Sequence, residues 1–189
     1  EELDLPIGGD EGVGRHQHIQ LALAGALGLA PAARLDEIGD TGRERRPGLP
    51  YLLMYRQALE SAKTKDDVYV SISKARRTTS NNFMVVDATG ASEVIEYDPE
   101  VAIRRPAAHG CVCSTNFFVS NDLREQCMPV GKDRYESLAE FLERDHGKID
   151  LDGVKSALAD VATPFYLNVQ AMVFLPAKRE LHLSEGGEL

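Results

Sequence analysis

Two short apolar runs, residues 82–87 (Asn-Phe-Met-Val-Val-Asp) and 92–97 (Ser-Glu-Val-Ile-Glu-Tyr), are separated only by Ala-Thr-Gly-Ala. β-branched runs of this length around so tight a turn point to an antiparallel hairpin, with Gly90 free to take the positive φ the turn needs. Around this hairpin the patterning falls into blocks. Leu52, Leu53, Tyr55, Arg56, Leu59 and Ala62 repeat at helical spacing, with Pro50 suited to the first turn. Thr64 reads as the N-cap of a second helix, with Asp66 and Asp67 in its first turn and Val68, Ile72 and Ala75 facing inward. Residues 101–105 read as a short edge strand stopped by Pro106, and residues 111–118 as the next strand. Helices are expected at 135–144 and at 151–161, the latter with Asp150 as N-cap. A closing hairpin is expected from 165–175 and 179–184 around Pro176-Ala177-Lys178. Before residue 50 there is one interrupted helical pattern, 18–29, broken by Gly25 and Gly28. Strands grouped in runs, instead of alternating singly with helices, predict an α+β layered domain and not a doubly wound one. The 189 residues suit a single domain, 1–189.

Composition narrows the class of partner. A net charge of −9 argues against nucleic acid or an anionic membrane, both of which need a basic patch. The longest apolar stretch, 19–33, is too short and too interrupted to span a bilayer, and no basic, apolar leader opens the chain. Three cysteines at irregular spacing do not describe a disulfide framework, so a reducing, cytoplasmic location is expected. The glycine-rich stretch 8–14 matches neither a Walker pattern nor a dinucleotide fingerprint, and its Asp10 and Glu11 would repel phosphate.

The chemistry-bearing residues cluster at Gly110-Cys111-Val112-Cys113-Ser114-Thr115-Asn116-Phe117-Phe118. Read as a strand, this run turns Val112, Ser114, Asn116 and Phe118 to one face and Cys111, Cys113 and Thr115 to the other. An amide at the tip of a core strand can donate to a developing oxyanion, or can simply cap loop backbone. Arg134 opens a helix against the dipole, which favours acids there. It is therefore held for another reason, or pairs on the surface with Asp133 or Glu136. Cys111 and Cys113, two apart on a strand, are poorly placed for a disulfide and lack a second Cys/His pair at zinc spacing, so they read as small buried hydrophobes. A thiol or metal protein using Cys111, Cys113 and Cys127 is the remaining alternative. Glu93 and Glu96, three apart in a strand, point to opposite faces and cannot act as a facing carboxylate pair. They read as a solvated face plus one structural ion pair.

The hairpin ending in Tyr97, the Ser114-Thr115-Asn116 triplet and Asp133-Arg134-Tyr135 together resemble the C-terminal half of the cysteine N-terminal-nucleophile hydrolases. That group includes choloylglycine hydrolases, penicillin V acylase and acyl-coenzyme A:6-aminopenicillanate acyltransferases. The resemblance covers about 50–189. Phe117 stands where the family commonly has His, Ser or Pro, and residues 1–45 carry no Gly-x-Asn-x-x-Gly-Leu segment, the family's second oxyanion donor.

The resemblance implies an αββα sandwich and hydrolysis or acyl transfer on linear amides through a cysteine thioester. Asn116 would help form the oxyanion hole and Arg134 would approach the thiolate. The family's nucleophile also carries the free α-amino group that serves as base, which none of the three internal cysteines can do. It is therefore expected N-terminal to Glu1, on a preceding segment or a companion polypeptide of a processed precursor. The implied partners are a small-molecule amide or acyl substrate and that companion, with a homo-oligomer possible and no cofactor or metal. A non-catalytic subunit or inactive homologue with the same sandwich is the alternative.

Overall fold

The computed structural model describes residues 47–87, 89–125, 127, 129–162, 170–175 and 180–185. Helices and antiparallel strands are segregated along this chain, as an α+β protein requires. The expected helix at 18–29, the glycine-rich stretch 8–14, and the parts of the closing hairpin at 165–169 and 176–179 lie outside the described residues.

Helix α1 (Tyr51–Ser61) follows Pro50 and buries Met54 and Ala58, one turn apart on one face. Helix α2 (Lys65–Lys74) begins at a capping box. The Thr64 hydroxyl accepts from the Asp67 amide at 3.1 Å, and the Asp67 carboxylate accepts from the Thr64 amide at 3.0 Å. At its other end the buried Arg77 folds back. Its Nη1 donates to the carbonyls of Ile72 (2.7 Å) and Ser73 (2.9 Å), and its Nε reaches Asp98 O at 2.6 Å. One guanidinium thus satisfies orphan helix carbonyls and ties the helix to the turn after the second strand.

Strands β1 (Asn81–Val86), β2 (Ser92–Tyr97) and β3 (Ala102–Pro106) form an antiparallel sheet in that order, with Gly90 at φ 84 in the first turn. Pleating divides the sheet into two faces. Phe83, Val85, Ile95, Tyr97 and Ala102 pack with Met54, Ala58, Val68 and Ile72, so α1 and α2 cover one face. Burial of Ile72 and Ile95 contributes roughly 1.5–3 kcal/mol each. The other face carries Asn82, Val94, Glu96 and Arg105.

Residues 111–118 are not a strand. Beyond Pro106 the chain turns through His109 (φ 52) and Gly110 (φ 76), makes one isolated bridge between Ala108 and Cys111, and runs on without a ladder. Its backbone groups are taken by side chains from all three strands. Arg105 Nη2 donates to Cys113 O (2.6 Å), and Asn82 Nδ2 donates to Thr115 O (2.8 Å) and Phe117 O (3.0 Å). Glu96 accepts from the amides of Val119 and Ser120 (3.1 and 2.8 Å). A segment held in this way lies across the sheet face, not along its edge.

Glu93 and Glu96 do take opposite faces, but neither is solvated. Glu93, 1% exposed, pairs with Arg104 at 2.7 Å and Lys65 at 3.4 Å. Glu96, fully buried, pairs with Arg105 at 3.0 Å. An isolated carboxylate at such sites would be too costly to keep ionised, so each is matched to its own guanidinium.

After a short helix the sequence did not suggest, α3 (Asn121–Arg124), come α4 (Lys132–Arg144) and α5 (Leu151–Asp160). Asp150 caps α5 through Gly153 N at 2.9 Å. Cys113 packs with Leu138, Ala157 and Val161, so the crossing segment lies between the sheet and these two helices. Strands β4 (Gln170–Leu175) and β5 (Glu180–Glu185) pair antiparallel, with Val173 buried against Val154 and Leu158 of α5. Among the described residues, no helix is long and apolar enough to cross a membrane.

Candidate functional site

The crossing segment and the start of α4 meet at Asn116 and Arg134. Gly131, in the left-handed region at φ 74, is the N-cap residue of α4, and its carbonyl accepts from the buried Thr115 hydroxyl at 2.8 Å. That bond fastens the segment to the helix start one residue before Asn116. Arg134, in the first turn of α4, directs Nη2 at Asn116 Oδ1 across 3.4 Å. This is a long contact, and it takes the oxygen end of the amide. The Asn116 NH2 group makes no hydrogen bond among the described residues and is left as a donor.

Space here is tight. A Cβ on Gly131 would stand 2.9 Å from Arg134 Nη2 and 3.3 Å from both Asn116 N and Thr115 Oγ1. At φ 74 the backbone favours glycine, and a side chain here would push the tip of Arg134 aside and crowd the Thr115 hydroxyl and the Asn116 backbone. The surface pairing considered for Arg134 does not occur among the described residues. Glu136 pairs instead with Lys132, at 3.3 Å, and Arg134 is half-buried.

Cys113 is buried, and Cys111 and Cys127 are half-buried. Burial pushes the Cys111 and Cys113 thiols above the ordinary range, so both are protonated at neutral pH. Among the described residues, no group of three or more His, Cys, Asp or Glu side chains could hold a metal ion.

Sequence reasoning named Asn116 and Arg134, and the structure brings them together. It did not single out Asn82, Arg105 or Gly131, and it read Glu96 only as part of a solvated face or of one structural ion pair. A signal existed for Glu96, a charged residue inside the apolar run Val94-Ile95-Glu96-Tyr97, answered by Arg105 at the right parity on the next strand. For Gly131 there was none, because its need arises from Arg134 and Asn116 arriving at the same place.

Residues 38–171 match the family model described as acyl-coenzyme A:6-aminopenicillanic acid acyl-transferase. The matched stretch holds α1 to α5, the three-stranded sheet, Asn116 and Arg134. No curated protein and no solved structure matches the chain.

Proposed function

The chain belongs to the acyl-coenzyme A:6-aminopenicillanic acid acyl-transferase family, and from that premise we propose that it supplies the oxyanion-stabilising half of a cysteine-dependent acyltransferase or linear-amide hydrolase. Family membership supports acyl transfer or amide hydrolysis in general. The contact between Arg134 Nη2 and Asn116 Oδ1 supports the finer reading, because it engages the oxygen end of the amide and leaves the nitrogen as a donor.

In the proposed reaction a thiolate attacks the carbonyl carbon of a small-molecule amide or acyl donor, and the carbonyl oxygen becomes an oxyanion. The Asn116 N–H donates to that oxygen. Collapse expels the amine, protonated by the nucleophile's own α-ammonium group, and leaves a thioester. Water or a second amine then attacks the thioester and releases the thiolate. Arg134, with no carboxylate partner among the described residues, lends positive potential that favours the thiolate form.

The nucleophile we place on polypeptide other than residues 1–189. All three cysteines here are internal, so none shares its residue with a free α-amino group, and burial keeps Cys111 and Cys113 protonated. In the assembled protein the sheet and helices described above form part of an αββα sandwich.

The test is mass spectrometry of the native protein after treatment with an electrophilic acyl probe. Acylation of an N-terminal Cys on a companion segment is the expected result. Acylation of Cys111, Cys113 or Cys127 would refute the placement. No acylation anywhere would identify a catalytically inactive homologue.

A further inference from the structure

We propose that Glu96 and Arg105 are positioning residues that set Asn116 and Arg134 in register with each other. The inference rests on the reading of Asn116 as an oxyanion donor and extends it to the buried layer beneath. The fully buried Glu96 carboxylate takes three donors at once: Arg105 Nε at 3.0 Å, Val119 N at 3.1 Å and Ser120 N at 2.8 Å. Arg105 in turn donates from Nη2 to Cys113 O at 2.6 Å. One ion pair therefore grips the crossing segment at Cys113, before Asn116, and again at Val119 and Ser120, after it. The Arg105 guanidinium also lies over the Tyr135 ring, 5.6 Å from its centroid, and Tyr135 follows Arg134 in α4. The same pair thus touches both elements that carry the site.

Asn82 completes the hold. It stands directly opposite Glu96 across β1 and β2, and its NH2 group bridges the carbonyls on either side of Asn116. Rotation of the segment about Asn116 would break at least two of these bonds. Stability alone does not require this arrangement, since a well-packed apolar pair of similar volume commonly matches or exceeds a buried ion pair. An apolar pair could not hold backbone groups at fixed points, and that directional hold is what a catalytic amide needs.

The experiment uses the complete native protein and the variants Glu96→Gln and Asn82→Ala, read in two ways. Nitrogen-15 NMR follows the Asn116 side-chain amide, the Arg134 Nε–H and the exchange of the Val119 and Ser120 amides. Steady-state kinetics use p-nitrophenyl phenylacetate as acyl donor. We expect shifted Asn116 and Arg134 signals, faster exchange at Val119 and Ser120 in Glu96→Gln, and kcat lower by roughly tenfold to a hundredfold with KM little changed. Combining Glu96→Gln with Asn116→Ala should lower kcat by clearly less than the product of the two single losses, because the pair acts in part through that amide. Unmoved Asn116 and Arg134 signals, an unchanged kcat, or multiplying losses in the double variant would each overturn the positioning role. If Glu96→Gln does not fold, Arg105→Lys, which keeps the positive charge but loses the second donor that reaches Cys113 O, meets the same criteria. If Asn116→Ala is as active as the parent, or no ester turnover is seen, the acyl-transfer reading fails. The side-chain signals then still decide whether the pair holds the two groups together.

Discussion

Gly131 and Arg134 compete for the same volume: a Cβ on Gly131 would stand 2.9 Å from the Arg134 Nη2, and the backbone there sits at φ 74. Gly131→Ala should therefore act twice. The left-handed backbone costs about 1–2 kcal/mol for a residue with a Cβ, and the methyl displaces the guanidinium from Asn116. Urea denaturation should show the stability loss, and acyl turnover should fall beyond what the unfolded fraction explains. A variant of parental stability and rate would mean that the corner is looser than the distances require.

Asn116→Ala should lower kcat by roughly two orders of magnitude while the circular dichroism spectrum is retained, the usual consequence of removing one oxyanion donor. A rate close to the parent's would reduce Asn116 to a loop cap.

Cys113 packs among Leu138, Ala157 and Val161 with its thiol pushed up by burial. It should resist a thiol reagent at neutral pH in the folded protein and react after denaturation. Cys113→Ala should cost about 1 kcal/mol of stability and leave acyl turnover in place. Loss of turnover in a folded Cys113→Ala variant would contradict a nucleophile carried elsewhere.

Amide donation from Lys63, then the hydroxyl and amide of Thr64, hold the Asp67 carboxyl below the usual carboxylate range. A carboxyl depressed in the folded state adds stability that is complete above its unfolded value, about pH 4, and is lost as pH falls through the lower folded value. The stability difference between the parent and Asp67→Asn should therefore shrink as pH drops from 6 towards 2. A difference that stays constant across this range would remove the carboxylate from the account.

Thr64→Ala should cost about 1 kcal/mol in urea unfolding, because the first-turn donor at Asp67 N loses its acceptor. A loss within error of zero would mean that water replaces the hydroxyl fully.

The cap at Thr64, the inward face of Val68 and Ile72, the hairpin through Gly90 and the Asp150 cap were all readable in the chain. Each depends on residues within about one turn or one pairing register of each other. Residues 111–118 misled for the same reason. Their alternation reports which side chains are half-buried, whereas strand identity depends on where the backbone finds its partners. Those partners proved to be Asn82, 33 and 35 residues away, and Glu96, 23 and 24 residues away. Asn116 and Arg134 were named through resemblance to a family, since spacing alone left both open to plainer roles.

Local order was thus written in the chain: helix ends, strand parity, the turn glycine and the α+β grouping follow from short-range sterics and hydrogen bonding. The meeting of Asn116 with Arg134, the demand for a bare Gly131 and the burial of two carboxylates on guanidiniums arose only on folding. They depend on groups far apart in sequence being pressed into one low-dielectric space, where a polar atom must find a partner and no local pattern names which.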